Sequence, residues 1–348
     1  MKSTAPIGES TAFKRGNAIP FEALPRTGAN GSSRMECPGC GETGVRTLFH
    51  GRDRLYRTTD KEFLLVECKT CRLIRLEPKP TVEESARYYP REYWFNPDEN
   101  TASKLEEAYR RLVLRDHLNF VMRAVENSRE NALVVDVGCG GGLLLSMLRE
   151  HGLPVLGLET SHLAATTAWK RNRVAVVCGD LSESPIERGT CAVVTMFHVL
   201  EHLPDPVSYL RSARDLLLAN GRLVVQVPNA SSWQFLMFGE HWNGVDVPRH
   251  LVNYRQRDLE NLLEYCGFEV VRRKHFSLRD NPAGFASSVA PGLDPMARRV
   301  RKVSESPAMK VTKDLLYFGL LLAAVPFTLF EAACGAGSTI MVEARKKA

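Results

Sequence analysis

The segment VVDVGCGGGLLLSML, residues 134–148, restricts the architecture more than any other stretch of this chain. A short β-branched run carries Asp136, then Gly138, Gly140 and Gly142 fall at alternate positions, and a leucine-rich helical pattern begins at once. Glycines at a strand-to-helix joint let the backbone turn tightly and approach a ligand without interference from a Cβ. The helix that follows directs its N-terminal amides and the positive end of its dipole at an anion lying there. A dinucleotide pyrophosphate and an amino-acid carboxylate both meet that description. The dinucleotide pattern GxGxxG asks for glycine at 143, where Leu143 stands, which weakens the nicotinamide-cofactor reading. A glycine loop by itself is weak evidence, because many are only tight turns.

The neighbouring pattern strengthens it. Strands are expected over 132–137, 154–158, 174–178, 191–196, 222–227 and 268–275. Helices are expected after the loop through Glu150 and over 161–171, 206–219 and 258–266, with Asn220-Gly221 and Gly267 as stop signals. Such alternation predicts an α/β doubly wound sheet, with residues 338–344 as a last strand. Ligands of open α/β sheets bind at the carboxyl ends of the strands. Glu159 ends the second strand, where a carboxylate accepts from both hydroxyls of a ribose, and Asp180 follows the third, near where an adenine amino group would lie. Taken singly, either acid reads as a helix cap or a solvated loop residue. Three carboxylates ending three successive strands make coincidence the poorer account.

With these residues assembled, the stretch from about Ala132 to Gly267 resembles the class I S-adenosylmethionine-dependent methyltransferases, whose core is Rossmann-like. DVGCGGG looks like their first motif and Glu159 like their ribose-binding acid. FHVLEHLPDP, residues 197–206, is similar to a segment of the ubiquinone-biosynthesis-like and related small-molecule branches. The resemblance implies that Asp136 and the loop of Gly138, Cys139, Gly140 and Gly142 hold the methionine moiety, while Asp180 and Leu181 line the adenine. The Asn-Pro-Pro-Tyr motif of amino-directed nucleic-acid methyltransferases does not follow the fourth strand, where Phe197-His198-Val199 stands.

Cys37-Pro-Gly-Cys40 and Cys68-Lys-Thr-Cys71 form two knuckles far enough apart for a hairpin or two between them. Each sets two thiolates on one tight turn, and two such turns close a tetrahedral site of four sulfurs. A closed structural Zn²⁺ is expected, with no open coordination position and no catalytic role. The ribbon with the connector YYPREYW, residues 88–94, resembles the N-terminal module of bacterial methyltransferases that modify sugars, including deoxysugar C-methyltransferases. Residues 1–34 read as a disordered tail, 35–80 as the ribbon, and 81–130 as the connector with an amphipathic helix to about Asn127. Residues 131–280 read as the methyltransferase core, 281–337 as a basic and apolar helical insertion, and 338–348 as the last core strand with the tail.

Methyl transfer to a hydroxyl or carbon acid needs near-attack positioning and removal of the acceptor's proton, for which histidine is suited near neutral pH. His198 just past the fourth strand is placed to face the substrate, while His202 reads as a satisfied structural group. HWNGVDVPRHL, residues 241–251, resembles the DxPxHL element lying over the acceptor side in this branch. His250 is taken as the acceptor-orienting group or base, with Asp246 fixing its tautomer. A loop clamped by a structural His–Asp pair is the competing reading. Tyr89, Tyr93 and Trp94 offer either an acceptor wall or core packing.

A net charge of +6 on 348 residues, without polybasic runs, speaks against a nucleic-acid partner and an RNA methyltransferase. Nine cysteines, five of them single and mostly within apolar runs, together with an N-terminus lacking the apolar run of a secretion signal, give a cytoplasmic expectation. Leu315–Phe330 holds sixteen uncharged residues behind a basic run, which is short of the about twenty needed to span a bilayer, and Pro326 is expected to break any helix there. That leaves a core helix or an apolar hairpin lying peripherally on the inner membrane surface. The expected activity is O-methylation of a saccharide, a lipid-linked intermediate or another small biosynthetic acceptor. C-methylation of a nucleotide-linked deoxysugar and a non-catalytic, cofactor-binding adaptor are the alternatives.

Overall fold

In the computed structural model, residues 36–93, 101–128 and 132–347 are described. The expectations for the tail and for Trp94 lie outside them. Strands β1 (Val45–Gly51), β2 (Phe63–Cys68) and β3 (Ile74–Glu77) form an antiparallel meander between and beside the cysteine knuckles. One face of this sheet sets Phe63, Leu65, Ile74 and Leu76 against Trp242, Val245 and Val247, so the module is packed onto a loop of the core. Helix α1 (Val82–Arg87) starts at Thr81 in a reciprocal cap with Glu84. The amphipathic stretch that follows is divided at Leu114 into α2 (Thr101–Val113) and α3 (Arg115–Ser128). The bend separates two packing duties. α3 buries Leu118, Phe120, Val121 and Ala124 under the sheet, while α2 reaches the first core helix through Arg111 and Glu150.

The core strands are β4 (Leu133–Val137), β5 (Val155–Glu159), β6 (Val176–Cys178), β7 (Cys191–Phe197) and β8 (Leu217–Pro228), all parallel. Between them run α4 (Leu143–Glu150), α5 (His162–Asn172) and α6 (Pro206–Leu216). β7 is buried through Met196 on both faces, as a central parallel strand flanked by helices must be. Helix α6 stops at Leu216, and Asn220-Gly221, expected to end the helix, lie inside β8 instead. Leu217 is already extended and pairs with Cys191, which draws the chain into the sheet early.

After β8 come α7 (Trp233–Phe238), the short strand β9 (Val252–Asn253), α8 (Gln256–Tyr265) and β10 (Phe268–Lys274). Three helices follow, α9 (Asn281–Val289), α10 (Pro295–Val300) and α11 (Pro307–Ala333), before β11 (Thr339–Lys346). β11 inserts antiparallel between β8 and β10, giving the order β10-β11-β8-β7-β4-β5-β6. β9 leaves the core to complete the N-terminal sheet as β1-β2-β3-β9. α11 corrects two expectations: Pro326 does not break it, and no hairpin forms. A buried seam of Tyr317, Ala324, Thr328 and Glu331 continues on both sides of the proline and holds the helix to its support.

Candidate active site

Three acids stand at the carboxyl ends of the adjacent strands β4, β5 and β6, where the alternating pattern puts them. Gly140 has φ +53° and open space where a Cβ would be, so the loop keeps a clear face towards the cleft. Gly138 needs glycine twice over: its φ is +71°, and a Cβ would meet Val199 Cγ2 at 2.8 Å. Cys139 is half-buried beside them, and Gly142 precedes α4 as its N-cap. Glu159 is buried, its Oε2 accepting from the Gly140 amide at 2.9 Å and its Oε1 from the Ser161 amide at 2.8 Å. Asp136 accepts from Thr195 Oγ1 at 2.5 Å, and burial raises its carboxyl to about 7. Asp180 caps a turn over Leu181–Glu183, accepting from the Ser182 amide at 2.8 Å, and also accepts from the Tyr209 hydroxyl. A carboxylate has about four lone-pair sites, so room for a further donor remains. Leu181 is buried beneath it.

On the neighbouring side, the chain after β7 turns at His198, which has φ +56°, into a short turn over Leu200–His202. His198 Nδ1 lies 3.1 Å from Glu201 Oε1, and its Nε2 lies 3.5 Å from Asp280 Oδ2. Burial opposes its charge, yet Asp280 and Glu201 together lift it to about 9. Gln226 Nε2 also lies 2.8 Å from His198 Nε2, so both ring nitrogens are engaged within the protein. His202 behaves oppositely: burial, helped by His250, pushes it down to about 4. Its Nδ1 lies 3.0 Å from the Arg249 carbonyl and 2.9 Å from the Tyr89 hydroxyl. His250 Nδ1 lies 2.8 Å from the Gly244 carbonyl. An N–H donated from Nδ1 to a carbonyl fixes a ring's tautomer and leaves Nε2 as the nitrogen open to a ligand or proton.

Asp246 is not the group that fixes His250. Its carboxylate accepts from Arg249 Nε at 3.0 Å and Nη2 at 2.7 Å, while His250 Nε2 is 3.9 Å away. Arg249 also reaches Asp53 at 2.9 Å, inside the N-terminal module. Asp246 thus belongs to a buried ion-pair network joining the module to the acceptor loop. Tyr89 packs edge-on to Tyr93 and His202, and becomes part of the wall beside the histidines.

Glu201, His202 and His250 place one ligand atom each within 4.8 Å of one another, and among the described residues the buried Glu201 Oε2 has no hydrogen-bond partner. Two imidazoles, each held at Nδ1 by a carbonyl, together with a carboxylate oxygen, suit a divalent cation. The same three atoms also suit a hydroxyl that gives up its proton. The sequence reading underrated Glu201 and His202, and missed Asp280. The adjacency of Glu201 and His202 past a strand end was a visible signal, but only the fold brings His250 and Asp280 to them.

The four knuckle sulfurs converge. Cys37 and Cys71 Sγ are 3.5 Å apart, Cys40 and Cys68 Sγ 3.6 Å, and all four lie within 4.8 Å. A tetrahedral Zn²⁺ with Zn–S of about 2.3 Å needs sulfurs about 3.8 Å apart, so the cluster fits that ion.

A methyltransferase-domain family model matches residues 105–273. The ubiquinone biosynthesis O-methyltransferase of Marinobacter nauticus is 32% identical over 167 residues, 44% of this chain and 69% of that protein. That of Erwinia tasmaniensis is 30% identical over 172 residues, 46% of this chain and 70% of that protein. A solved S-adenosylmethionine-dependent methyltransferase from Archaeoglobus fulgidus aligns with 71% of this chain and all of its own, at 18% identity and a TM-score of 0.45.

Proposed function

The chain belongs to the class I S-adenosylmethionine-dependent methyltransferases, and from that membership we propose that it methylates a hydroxyl oxygen of a small biosynthetic acceptor, a saccharide or a lipid-linked intermediate met at the inner membrane surface. The observation that carries this reading is the convergence of Glu201, His202 and His250 next to the glycine-loop cleft. The cofactor supplies a methyl group on a sulfonium, already activated towards an oxygen nucleophile. Asp136 takes the ammonium end of the methionine moiety, and the loop of Gly138, Cys139, Gly140 and Gly142, with little side chain on it, closes against the rest of that moiety. Glu159 binds the ribose hydroxyls, while Asp180 and Leu181 border the adenine.

On the acceptor side, His250 Nε2 receives the hydroxyl proton. Its Nδ1–H stays on the Gly244 carbonyl, so the ring is held while its charge changes. His202, neutral for the reason given above, orients the same hydroxyl with Glu201. A divalent cation held by these three side chains is a second reading, favoured by the unpartnered Glu201 oxygen; it would lower the hydroxyl's pKa in place of His250. The cysteine cluster holds structural Zn²⁺, stiffening the sheet on which β9 and the acceptor loop rest. Initial rates with a hydroxyl acceptor drawn from a fractionated cell extract test the reading. His250→Gln should lower kcat about a hundredfold or more with little change in KM for the cofactor. Undiminished kcat would refute the role of His250, and restoration of chelator-treated enzyme by Mg²⁺ or Mn²⁺ would select the cation.

A further inference from the structure

Helix α11 is built the wrong way out for water. From Leu315 to Ala333 its polar side chains are Tyr317, Thr328 and Glu331, and all three are buried. Tyr317 meets Ser287 Oγ at 2.9 Å, and Glu331 accepts from the amide and side chain of Gln234, each at 3.0 Å. The outward side carries Leu315, Leu316, Phe318, Leu322, Leu329 and Phe330, with Leu316 and Leu322 each 57% exposed. A surface helix of a soluble protein shows the reverse arrangement. The apolar face continues onto α7: the Trp233 ring meets that of Phe330 at a tilt, centroids 5.6 Å apart, and on the same helix Leu236 is 73% exposed.

We propose that the outward faces of α11 and α7 lie in the plane of an anionic bilayer surface, as a platform that docks the enzyme. Twenty-seven residues make a helix of about 40 Å, long enough to cross a bilayer. The Glu331–Gln234 and Tyr317–Ser287 bonds tie its other side to the protein, however, so it lies along the surface and does not cross. Two observations select lipid as the occupant. A protein partner would be met by about one hydrogen bond per 100–200 Å², and the outward face offers no hydrogen-bonding side chain from Leu315 to Ala333. The stretch leading into it, residues 298–314, carries six basic against two acidic residues; Arg298 and Lys313 pair with Glu305 and Lys302 with Glu92, while Arg299 and Lys310 are exposed and complementary to anionic headgroups. The platform is one helix away from the acceptor site, since α9 packs on α11 and its Ser288 hydroxyl accepts from the Asn243 amide of the acceptor loop at 2.8 Å. A lipid-linked acceptor would thus enter from the side that faces its membrane. Only that last orientation rests on the reading of the acceptor above.

The test uses the full chain with vesicles, without cofactor or acceptor, so that docking and methyl transfer fail separately. The chain should sediment with phosphatidylglycerol–phosphatidylcholine vesicles at low salt, and less with phosphatidylcholine alone. Joint replacement of Leu316, Leu322 and Leu329 by Ser should weaken binding to both about a hundredfold. Because all three side chains are exposed, the thermal midpoint and cofactor binding should be unchanged. Lys310→Glu should weaken only the anionic-vesicle component. Wild type remaining in the supernatant with every vesicle would overturn the proposal, as would equal binding by the triple variant. A dimer broken by the three serines, without vesicle binding, would overturn it in favour of a contact between two copies of this chain.

Discussion

Replacing Glu159 by alanine isolates the contribution of one strand-end acid to cofactor binding. Its carboxylate has about four lone-pair sites. Two are taken at short range within the chain, by the Gly140 amide at 2.9 Å and the Ser161 amide at 2.8 Å, and the Thr160 hydroxyl makes a long contact at 3.5 Å. With that hydroxyl turned away two are left, the number a ribose diol needs. Charge-assisted hydrogen bonds contribute roughly 1.5 kcal/mol each at the lower end of their range, so Glu159→Ala should cost about 3 kcal/mol. At about 1.4 kcal/mol per decade, the Kd for S-adenosylmethionine or S-adenosylhomocysteine should rise about 150-fold. Glu159→Gln keeps one acceptor oxygen and should fall between alanine and wild type. Calorimetric titration reads the effect, with the thermal midpoint of each cofactor-free variant as the control for folding. The alanine variant leaves two amides of a loop beside the cleft, which water can reach, so it should still fold. A Kd within about threefold of wild type in a folded alanine variant would refute the assignment of the ribose to this acid.

The other predictions concern the metal, the buried ion pairs and pH. Purified protein should contain about one Zn²⁺ per chain, and Cys68→Ser should lose it together with protease resistance of β1 to β3; elemental analysis and limited proteolysis read both, and a zinc-free, resistant wild type would contradict the assignment. Arg249→Ala strands Asp53 and Asp246 in the interior and should destabilise the fold by about 3 to 5 kcal/mol in denaturant unfolding, whereas an effect below about 1 kcal/mol would show that the network is unimportant. Asp136 is raised from 3.8 to about 7 by burial, so the cofactor-free fold should lose stability as pH rises towards 7 and change little beyond it. Cofactor affinity should rise over the same window, because the ammonium it meets favours the carboxylate. Titrations and thermal midpoints at about pH 6 and about pH 8 check both signs. Affinity independent of pH would contradict the pairing.

The parts of the molecule governed by local rules were legible in the sequence. The glycines at 138, 140 and 142 announce a strand-to-helix turn because their positive φ values have few other uses. The alternation of strands and helices then places Asp136, Glu159 and Asp180 on one edge. The two Cys-x-x-Cys knuckles are equally local, and the fold closes them to within 4.8 Å. What escaped depends on distant partners. The charge state of His198 is set by Asp280, 82 residues away in a loop whose sequence carries no signal of its own. Asp246 sits four residues from His250 and invited a local pairing, but Arg249 lies between them and outcompetes the imidazole for its carboxylate. Pro326 argued for a break that a buried seam on both sides of it prevents.

The account stands on transfer of a methyl group to an acceptor oxygen. The direct measurement incubates the purified chain with S-adenosylmethionine labelled with carbon-13 in its methyl group and with cell extract split into lipid and aqueous fractions. The labelled product is then read by nuclear magnetic resonance. The account predicts a new methoxyl carbon signal that depends on the enzyme, disappears with Glu159→Ala at low cofactor, and falls steeply with His250→Gln. Label arriving on an acceptor carbon or nitrogen, or no transfer by a protein that binds the cofactor, would contradict it.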